Sequence, residues 1–472
     1  MVVILEFIIF IALMIGYFVA PTYISRGYLS YVVALAFSSY GLLYIYPKTK
    51  NLLKSYFLSN SNIFLLLYAV ISFQFPIDYI LNNSSVDFSK YFFNLYTVNL
   101  SVTFSALCFV AFIIGVMIAS FNSGVKLQNR RCIEAKNKQI PTKPIFLIMV
   151  LLWLLFIMFM NPEYLKGGHG SVLVDNSSIA FYGYFWRMNI LYLAIDFINH
   201  RNEKNKLSTI IRRHPPLYWV LIILSSALFL MAHNRVYTLF ILVPTFFYII
   251  LILRLKTAPI KSMIILGIIA VFFTLFKVYG IDNMFSDSSN LDVADLTYYD
   301  RFSSISPFTS ELAGSIYADS AMFNIWYNEG IVMFGSTIVL GVLRVISGLI
   351  PIFFMLTGLS DVSYSSGSFI TKHLGASYGL GSTISGDSLL SLGFLPTIIL
   401  LGLFGLYCYR CDMAMFINRN DNRYIIMGLA ISSQIAFVER SSLCDVIATV
   451  LFCIIFVKIY KGIYNYESFT HN

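Results

Sequence analysis

The chain has 472 residues, of which 58% are hydrophobic and only 12% are charged, and its net charge is +9. A soluble protein would carry about 25% charged residues throughout its length, so this composition excludes a soluble globular protein. The charges instead lie in short clusters between apolar runs that are long enough to cross a bilayer, which takes about 20 residues as a helix. The sequence therefore predicts an all-α, multi-pass integral membrane protein.

Apolar runs of membrane-spanning length occur along most of the chain. The first run lacks a basic leader and a clear cleavage site, so we interpret it as a retained helix rather than a signal peptide. We expect about twelve transmembrane helices, at 3–20, 29–46, 63–81, 98–120, 145–160, 179–198, 217–232, 236–253, 262–277, 388–407, 424–438 and 443–460.

Basic residues predict how these helices are oriented. Clusters of Lys and Arg follow every second run, at 48–54, 126–143, 201–213 and 254–261, and the intervening loops contain few. Short basic loops stay in the cytoplasm, so this alternation places both termini there. The positive charge thus reflects topology, and we expect no nucleic-acid partner.

The segment 278–387 is long and polar, with an apolar run at 331–357. The charge pattern places residue 278 outside and the basic loop 410–423 inside, so 331–357 must cross an even number of times. Its glycines and Pro351 suit an interfacial or re-entrant helix. We therefore divide the chain into helices one to nine (1–277), a large extracytoplasmic loop (278–387) and helices ten to twelve (388–472). A thirteenth helix that breaks the charge rule is the alternative.

Isolated arginines lie beside apolar segments on the predicted external side. A guanidinium near hydrocarbon is costly, and its planar paired donors suit phosphate and pyrophosphate. For any one of them, pairing with a neighbouring acid or snorkelling to the interface is an equally good explanation. Four on one side favour an anion site, formed by Arg235, Arg301, Arg344 and Arg440.

The external segment also offers candidates for a general base. His373 lies in the large loop, and its alternative role is that of a solvent-exposed histidine. Asp387 and Glu439 are further candidates, and the sequence does not choose among the three. No phosphate-binding loop, zinc-hydrolase motif or D-x-D is present, and Cys408 and Cys411 form a lone C-x-x-C. We expect neither a metal nor a cofactor.

In its layout, the chain resembles the Wzy-type O-antigen polymerases over most of its length. Each of the motifs is short, so the resemblance depends on their order and on the helices around them. The residues that carry it are His233–Asn234–Arg235 at the start of a helix, Asp300–Arg301–Phe302 with Ser306–Pro307, Arg344 with Pro351, Tyr378–Ser382 leading to Gly386, and Glu439–Arg440 before the last helix.

The resemblance implies a GT-C-like membrane glycosyltransferase facing the periplasm in the inner membrane of a bacterium. Such an enzyme joins undecaprenyl-pyrophosphate-linked oligosaccharide repeat units into a polysaccharide. The arginines would stabilise the leaving pyrophosphate, and the large loop would exclude water as a competing acceptor. The implied partners are the undecaprenyl-pyrophosphate-linked glycans, membrane lipid and a chain-length regulator protein.

Two other functions share parts of this pattern. An O-antigen ligase has the same layout of many helices and one large external loop, and it differs in its acceptor. A flippase for lipid-linked oligosaccharides also has about twelve helices, but it should show two similar halves and short external loops. The long loop 278–387 argues against the flippase.

Overall fold

The computed structural model describes most of the chain as helices. The described residues are 1–81, 92–126, 140–161, 176–203, 206–231, 235–257, 312–346, 349–358, 365–375, 381–419, 421–435, 437–438 and 442–464, together with positions 261, 264, 268 and 309. No β-strand runs through any of these ranges. The predicted all-α class is confirmed for them.

The N-terminal half of the described chain forms α1 (Val2–Phe18), α2 (Arg26–Ile45), α3 (Pro47–Ser55), α4 (Asn60–Ile80), α5 (Val98–Lys126), α6 (Lys143–Phe159), α7 (Asn176–His200), α8 (Leu207–Arg213), α9 (Pro216–Met231) and α10 (Arg235–Leu253). The C-terminal half forms α11 (Ile316–Asn324) with a π-helical turn over Ile325–Glu329, α12 (Ser336–Leu343), α13 (Leu349–Thr357), α14 (Ser366–His373), α15 (Ile384–Leu392), α16 (Phe394–Asp412) with a π-helical turn over Met413–Asn418, α17 (Asn422–Ile435) and α18 (Leu443–Tyr464).

Several of the described helices are long and apolar enough to cross a membrane. They are Arg26–Ile45, Asn60–Ile80, Val98–Phe121, Val236–Leu253, Phe394–Asn418 and Leu443–Tyr460. Leu207–Arg213 and Pro216–Leu230, bent by 95°, would together make one more. The protein is a multi-pass membrane protein, and its total of twelve spans stays a prediction because the run 262–277 lies largely outside the described residues.

The apolar run 331–357 forms two short helices instead of one long one. α12 has 8 residues and α13 has 9. With a rise of 1.5 Å per residue, each is roughly 12–14 Å long, less than half of the ~30 Å hydrocarbon layer. Neither helix can cross a bilayer alone, which is consistent with an interfacial or re-entrant element.

The expected single helix over 388–407 is instead broken in two. α15 ends and α16 begins on either side of Gly393, whose φ of 86° and ψ of −178° lie in a region that only glycine adopts readily. Residues 388–392 consequently belong to the short buried helix α15, and the apolar helix of spanning length starts at Phe394. Hydropathy alone could not show this break, because both segments are apolar.

The chain divides into two compact units. The first comprises Met1–Gln128, Ala258–Arg410 and Phe437–Asp445, and the second comprises Asn129–Thr257, Cys411–Ala436 and Val446–Asn472. The described part of the predicted loop 278–387 belongs to the first unit, where α11, α14 and α15 share an apolar core. That core consists of Ala318, Met322, Ile325, Ile370 and Leu390.

In the first unit, α5 and α16 approach each other closely. A Cβ atom on Gly115 would lie 1.9 Å from the carbonyl oxygen of Gly402, and one on Gly405 would lie 2.2 Å from that of Phe112. These distances are too short for any side chain, so glycine is what allows the two backbones to touch. Small residues at a helix crossing are typical of helices that pack within a membrane.

The second unit contains a buried polar network around Asp196 of α7. The carboxylate of Asp196 accepts a hydrogen bond from Tyr248 and pairs with Arg213 at 3.4 Å and with His200 at 3.3 Å. The ring of His214 bonds to Tyr248 at 2.9 Å. Asp196 therefore has a cationic partner in α8 and an ionisable one in α7, which is how a buried carboxylate in an apolar helix is accommodated.

Candidate functional site

A buried carboxylate, Asp319 of α11, lies at the centre of the polar side chains in the first unit. Its side chain accepts hydrogen bonds from the hydroxyls of Ser105 (2.8 Å), Ser385 (2.8 Å) and Thr383. Asp319 is only 3% exposed, and burial raises the pKa of its carboxyl while these hydrogen bonds oppose the rise. Through Asp319, α5, α11 and the start of α15 are joined by hydrogen bonds.

A second buried carboxylate, Asp387, lies in the first turn of α15. It accepts hydrogen bonds from the hydroxyls of Ser366 and Ser442, the latter at 3.0 Å, which come from the start of α14 and the residue before α18. Burial raises the pKa of Asp387 to about 6, against the lowering effect of these hydrogen bonds. With 1% exposure, Asp387 is poorly placed to contact a substrate hydroxyl, so its candidacy as a base is weakened.

Gly386 allows α15 to lie against α11. A Cβ atom there would be 2.6 Å from the sulfur of Met322 and 3.1 Å from a carboxylate oxygen of Asp319. At the other end of α15, the backbone N–H of Met333 donates to the carbonyl of Leu390, and that of Gly335 donates to the carbonyl of Ser391, each at 2.6 Å. The helix is therefore held at both ends by other parts of the same polar segment.

Arg344 follows directly after α12 and is held by a carboxylate. Its Nη1 donates to Asp445 at 2.7 Å and to the sulfur of Cys444 at 3.1 Å. The two charged side chains are 32% and 34% exposed, so the pair lies at the edge of the protein interior. The helices approach closely here, since a Cβ on Gly341 would be 2.9 Å from the carbonyl oxygen of Cys444.

His373, the last residue of α14, faces a second carboxylate. Its Nε2 lies 3.0 Å and 3.2 Å from the two carboxylate oxygens of Glu329, which ends the π-helical turn after α11. The imidazole stacks on the ring of Phe369 with centroids 5.3 Å apart and planes 23° apart. His373 is thus an accessible side chain. Its orientation is fixed because the imidazole contacts both Glu329 and Phe369, which belong to the same unit.

The described parts of the polar segment pack on one end of the helices of the first unit. The ring of Tyr17, in the last turn of α1, packs against that of Phe394 at the start of α16, with centroids 4.8 Å apart and planes inclined by 48°. The backbone N–H of Phe93, which precedes α5, donates to Ser320 of α11 at 3.0 Å. Arg344 contacts the first turn of α18. The charge pattern predicts that all four of these helix ends face outward.

The opposite end of the same unit carries a predicted cytoplasmic loop. The hydroxyl of Tyr409, near the end of α16, donates to the backbone oxygen of Lys48 at 3.1 Å. Lys48 begins the first basic cluster. α16 therefore starts at the end where the polar segment packs and finishes at the end where the basic loop lies.

The predicted arginines are described to different extents. A helix does begin at Arg235, as expected, but the side chain of Arg235 lies outside the described residues. Arg301, Arg440 and the candidate base Glu439 also lie outside them. Whether the four arginines share one site therefore stays a prediction, and Arg344 is the one whose contacts are described.

Sequence reasoning missed the partners of these residues. Asp445 was not singled out, although an acid in the first turn of an apolar helix is unusual enough to indicate a partner or a function. Glu329 and Asp319 lie in the polar segment, and nothing in the local sequence distinguishes them from its other acids. The sequence contains no local signal that joins Glu329 to His373, because 44 residues separate them.

Within the described ranges, no group of three or more His, Cys, Asp or Glu side chains is arranged to hold a metal ion. Cys408 and Cys411 are both buried, and neither forms a disulfide. The polar segment instead contains two buried carboxylates surrounded by hydroxyls, together with two accessible side chains held by carboxylates, Arg344 by Asp445 and His373 by Glu329.

In comparisons with known proteins, no family model, curated protein or solved structure matches this chain.

Proposed function

We propose that this protein is a polymerase of lipid-linked oligosaccharide repeat units, of the Wzy type. The observation that carries the proposal is the position of Arg344, an accessible guanidinium held at 2.7 Å by Asp445 where the polar segment meets the first turn of the last helix, the end that the charge pattern predicts to be external. An arginine kept there by a carboxylate has a defined orientation. It can offer planar donors to the phosphates of a lipid whose tail lies in the bilayer.

The reaction would join two substrates that are both anchored in the membrane. A sugar hydroxyl of the incoming repeat unit attacks the anomeric carbon of the growing glycan, and undecaprenyl pyrophosphate leaves. Negative charge accumulates on the leaving group, so a fixed cation beside it lowers the barrier. The bond to the pyrophosphate supplies the driving force. We propose Arg235, Arg301 and Arg440 as further contributors to the same anion site.

The proposed location follows from the helix ends that the polar segment covers. In the bacterial inner membrane, the basic loops would face the cytoplasm with both termini, and the polar segment would face the periplasm. There it would meet undecaprenyl-pyrophosphate-linked glycans after they have crossed the membrane. A chain-length regulator is the protein partner that we propose, because a polymerase without one has no fixed product length.

The test uses a bacterial strain in which the gene for this chain is deleted. We expect that strain to display glycans of a single repeat unit, and the wild-type gene to restore the ladder of long chains on a lipopolysaccharide gel. Arg344→Ala should abolish the ladder while the single repeat remains, because the single repeat needs no polymerisation. A matched control is Arg423→Ala, an exposed arginine in the predicted cytoplasmic loop, which should leave the ladder unchanged.

Other outcomes of this experiment contradict the proposal. Normal long chains with Arg344→Ala, at wild-type protein levels, would remove the anion-site role of Arg344. Loss of every surface glycan in the deletion strain, including the single repeat, would assign the chain to the ligase or the flippase class.

A further inference from the structure

The pair formed by His373 and Glu329 has the geometry of an oriented general base. One imidazole nitrogen, Nε2, contacts the carboxylate of Glu329 at 3.0 Å. Among the described residues, Nδ1 makes no hydrogen bond. A carboxylate that accepts the Nε2 proton fixes the neutral tautomer whose lone pair lies on Nδ1. Nδ1 is therefore the basic nitrogen of this imidazole.

Both members of the pair are held by surrounding structure. Phe369, which stacks on the imidazole, also packs against the apolar core of α11, α14 and α15. Glu329 is fixed at the end of the π-helical turn, where Gly330 has a φ of 68° and closes the turn onto the carbonyl of Trp326 at 3.2 Å. The side chains of His373 and Glu329 are 32% and 39% exposed, so solvent and a substrate can reach them.

We infer that Glu329 is the positioning residue that orients His373 as the base for the acceptor hydroxyl. This inference rests on the proposed polymerase function. In the step, the acceptor O–H bond breaks and its proton moves to Nδ1 of His373, while the oxygen forms a bond to the anomeric carbon. The anomeric carbon–oxygen bond breaks at the same time, and its electron pair leaves with the lipid pyrophosphate. Glu329 then stabilises the imidazolium, which later loses its proton to water.

The same pair could instead be only a surface ion pair. A pair this exposed contributes little to stability, so its removal should hardly affect folding. Turnover therefore distinguishes a positioning role from a structural one. A positioning role predicts loss of turnover in a protein that remains as stable as the wild type, whereas a purely structural pair predicts no loss of turnover.

The experiment follows polymerisation by the purified full-length protein in lipid nanodiscs. The substrate is the undecaprenyl-pyrophosphate-linked repeat unit extracted from the deletion strain. We expect His373→Ala to lower kcat by about 100-fold or more and Glu329→Gln to lower it by about tenfold, with KM nearly unchanged for both. Because Glu329 acts through His373, the double variant should be no slower than His373→Ala alone.

Added imidazole provides a second measurement. It should restore part of the turnover of His373→Ala, since a small base can occupy the space left by the side chain, and it should not restore that of Glu329→Gln. Lys372→Gln, an exposed neighbour in α14, serves as the matched control and should keep the wild-type kcat.

Two results would overturn the inference. One is a wild-type kcat for Glu329→Gln, and the other is a double variant that is about tenfold slower than His373→Ala. Failure of the proposed function itself looks different, because the wild-type protein would then form no polymer from the lipid-linked repeat unit.

Discussion

At the scale of single residues, the polar segment depends on carboxylates whose environments differ. Asp387 is buried among hydroxyls, and burial raises its pKa to about 6. Asp445 and Glu329 are about a third exposed and each has a cationic or ionisable partner. This difference in exposure indicates different roles. A buried carboxyl holds helices together, whereas an accessible pair can bind a ligand.

The raised pKa of Asp387 has a measurable consequence for stability. A carboxyl whose pKa rises from 3.8 to about 6 on folding stabilises the fold fully below pH 4, and this contribution is lost as the pH rises through 6. The loss amounts to about 3 kcal/mol. Asp387→Asn cannot ionise and so avoids it. We expect the melting temperature of this variant, relative to wild type, to rise by several degrees between pH 4.5 and pH 7.5.

Thermal unfolding of the detergent-solubilised protein, followed by intrinsic fluorescence, would measure this difference. Comparing the two proteins at each pH removes the contribution of other titrating groups. A difference that stays constant across the range contradicts a raised pKa at Asp387. Either result leaves the roles of Arg344 and His373 to their own experiments.

At the scale of helices, glycines decide which elements can touch. Gly386 lets α15 lie against α11, Gly341 lets α12 approach α18, and Gly115 and Gly405 let α5 and α16 lie against each other. The contact between α12 and α18, together with the hydrogen bond from Ser105 of α5 to Asp319 of α11, connects short helices of the polar segment to long apolar ones. The polar segment is consequently packed into the first unit and is not a loop attached only by its two ends.

The crossing of α5 and α16 can be tested by adding a single methyl group. Gly405→Ala would place a Cβ atom 2.2 Å from the carbonyl oxygen of Phe112, a backbone atom that cannot move aside without shifting α5. We expect a loss of stability of about 1–3 kcal/mol, seen as a lower melting temperature in detergent.

Gly41→Ala is the matched control for this variant. Gly41 lies within α2, and a Cβ atom there would meet nothing within 4 Å. Alanine is a better helix former than glycine by about 1 kcal/mol, so this control should melt at or above the wild-type temperature. Equal melting of Gly405→Ala and Gly41→Ala would show that the α5–α16 contact is looser than the distances indicate.

At the scale of the whole molecule, the question is which side of the membrane carries the polar segment. Within the first unit, α11, α15 and Arg344 contact the helix ends that the charge pattern predicts to be external. Lys48 and the end of α16 lie at the other end. The charge pattern and the packing of this unit are thus consistent with each other, although they depend on different properties of the chain.

Labelling of single cysteines would establish the orientation. In a Cys132→Ser background, Lys372→Cys in α14 and Lys54→Cys in α3 both place a thiol at an exposed position. The described native thiols are buried, which keeps the background low. We expect a membrane-impermeant maleimide to label Lys372→Cys in cells with a permeable outer membrane, and Lys54→Cys only after the inner membrane is opened. The reverse pattern would contradict the predicted topology.

Much of the fold could be predicted from the sequence because its dominant signals are local. An apolar run of about 20 residues has few alternatives to a membrane helix. The helices at 2–18 and 26–45 begin and end within a few residues of the predicted runs, and the helix at 98–126 begins where predicted but continues past residue 120. The break at Gly393 was missed, since hydropathy continues unchanged across it and the backbone angle has no composition signal.

The sequence by itself determined that this is an all-α, multi-pass membrane protein, that its basic loops alternate along the chain, and that Arg344 and His373 are candidates for a site. Composition and the spacing of charged residues are properties of the linear sequence, so they are known without the fold. Only the tertiary structure decided that Asp445 holds Arg344, that Glu329 faces His373 and that Asp387 is buried. These contacts join residues between 21 and 101 positions apart, and packing alone brings such residues together.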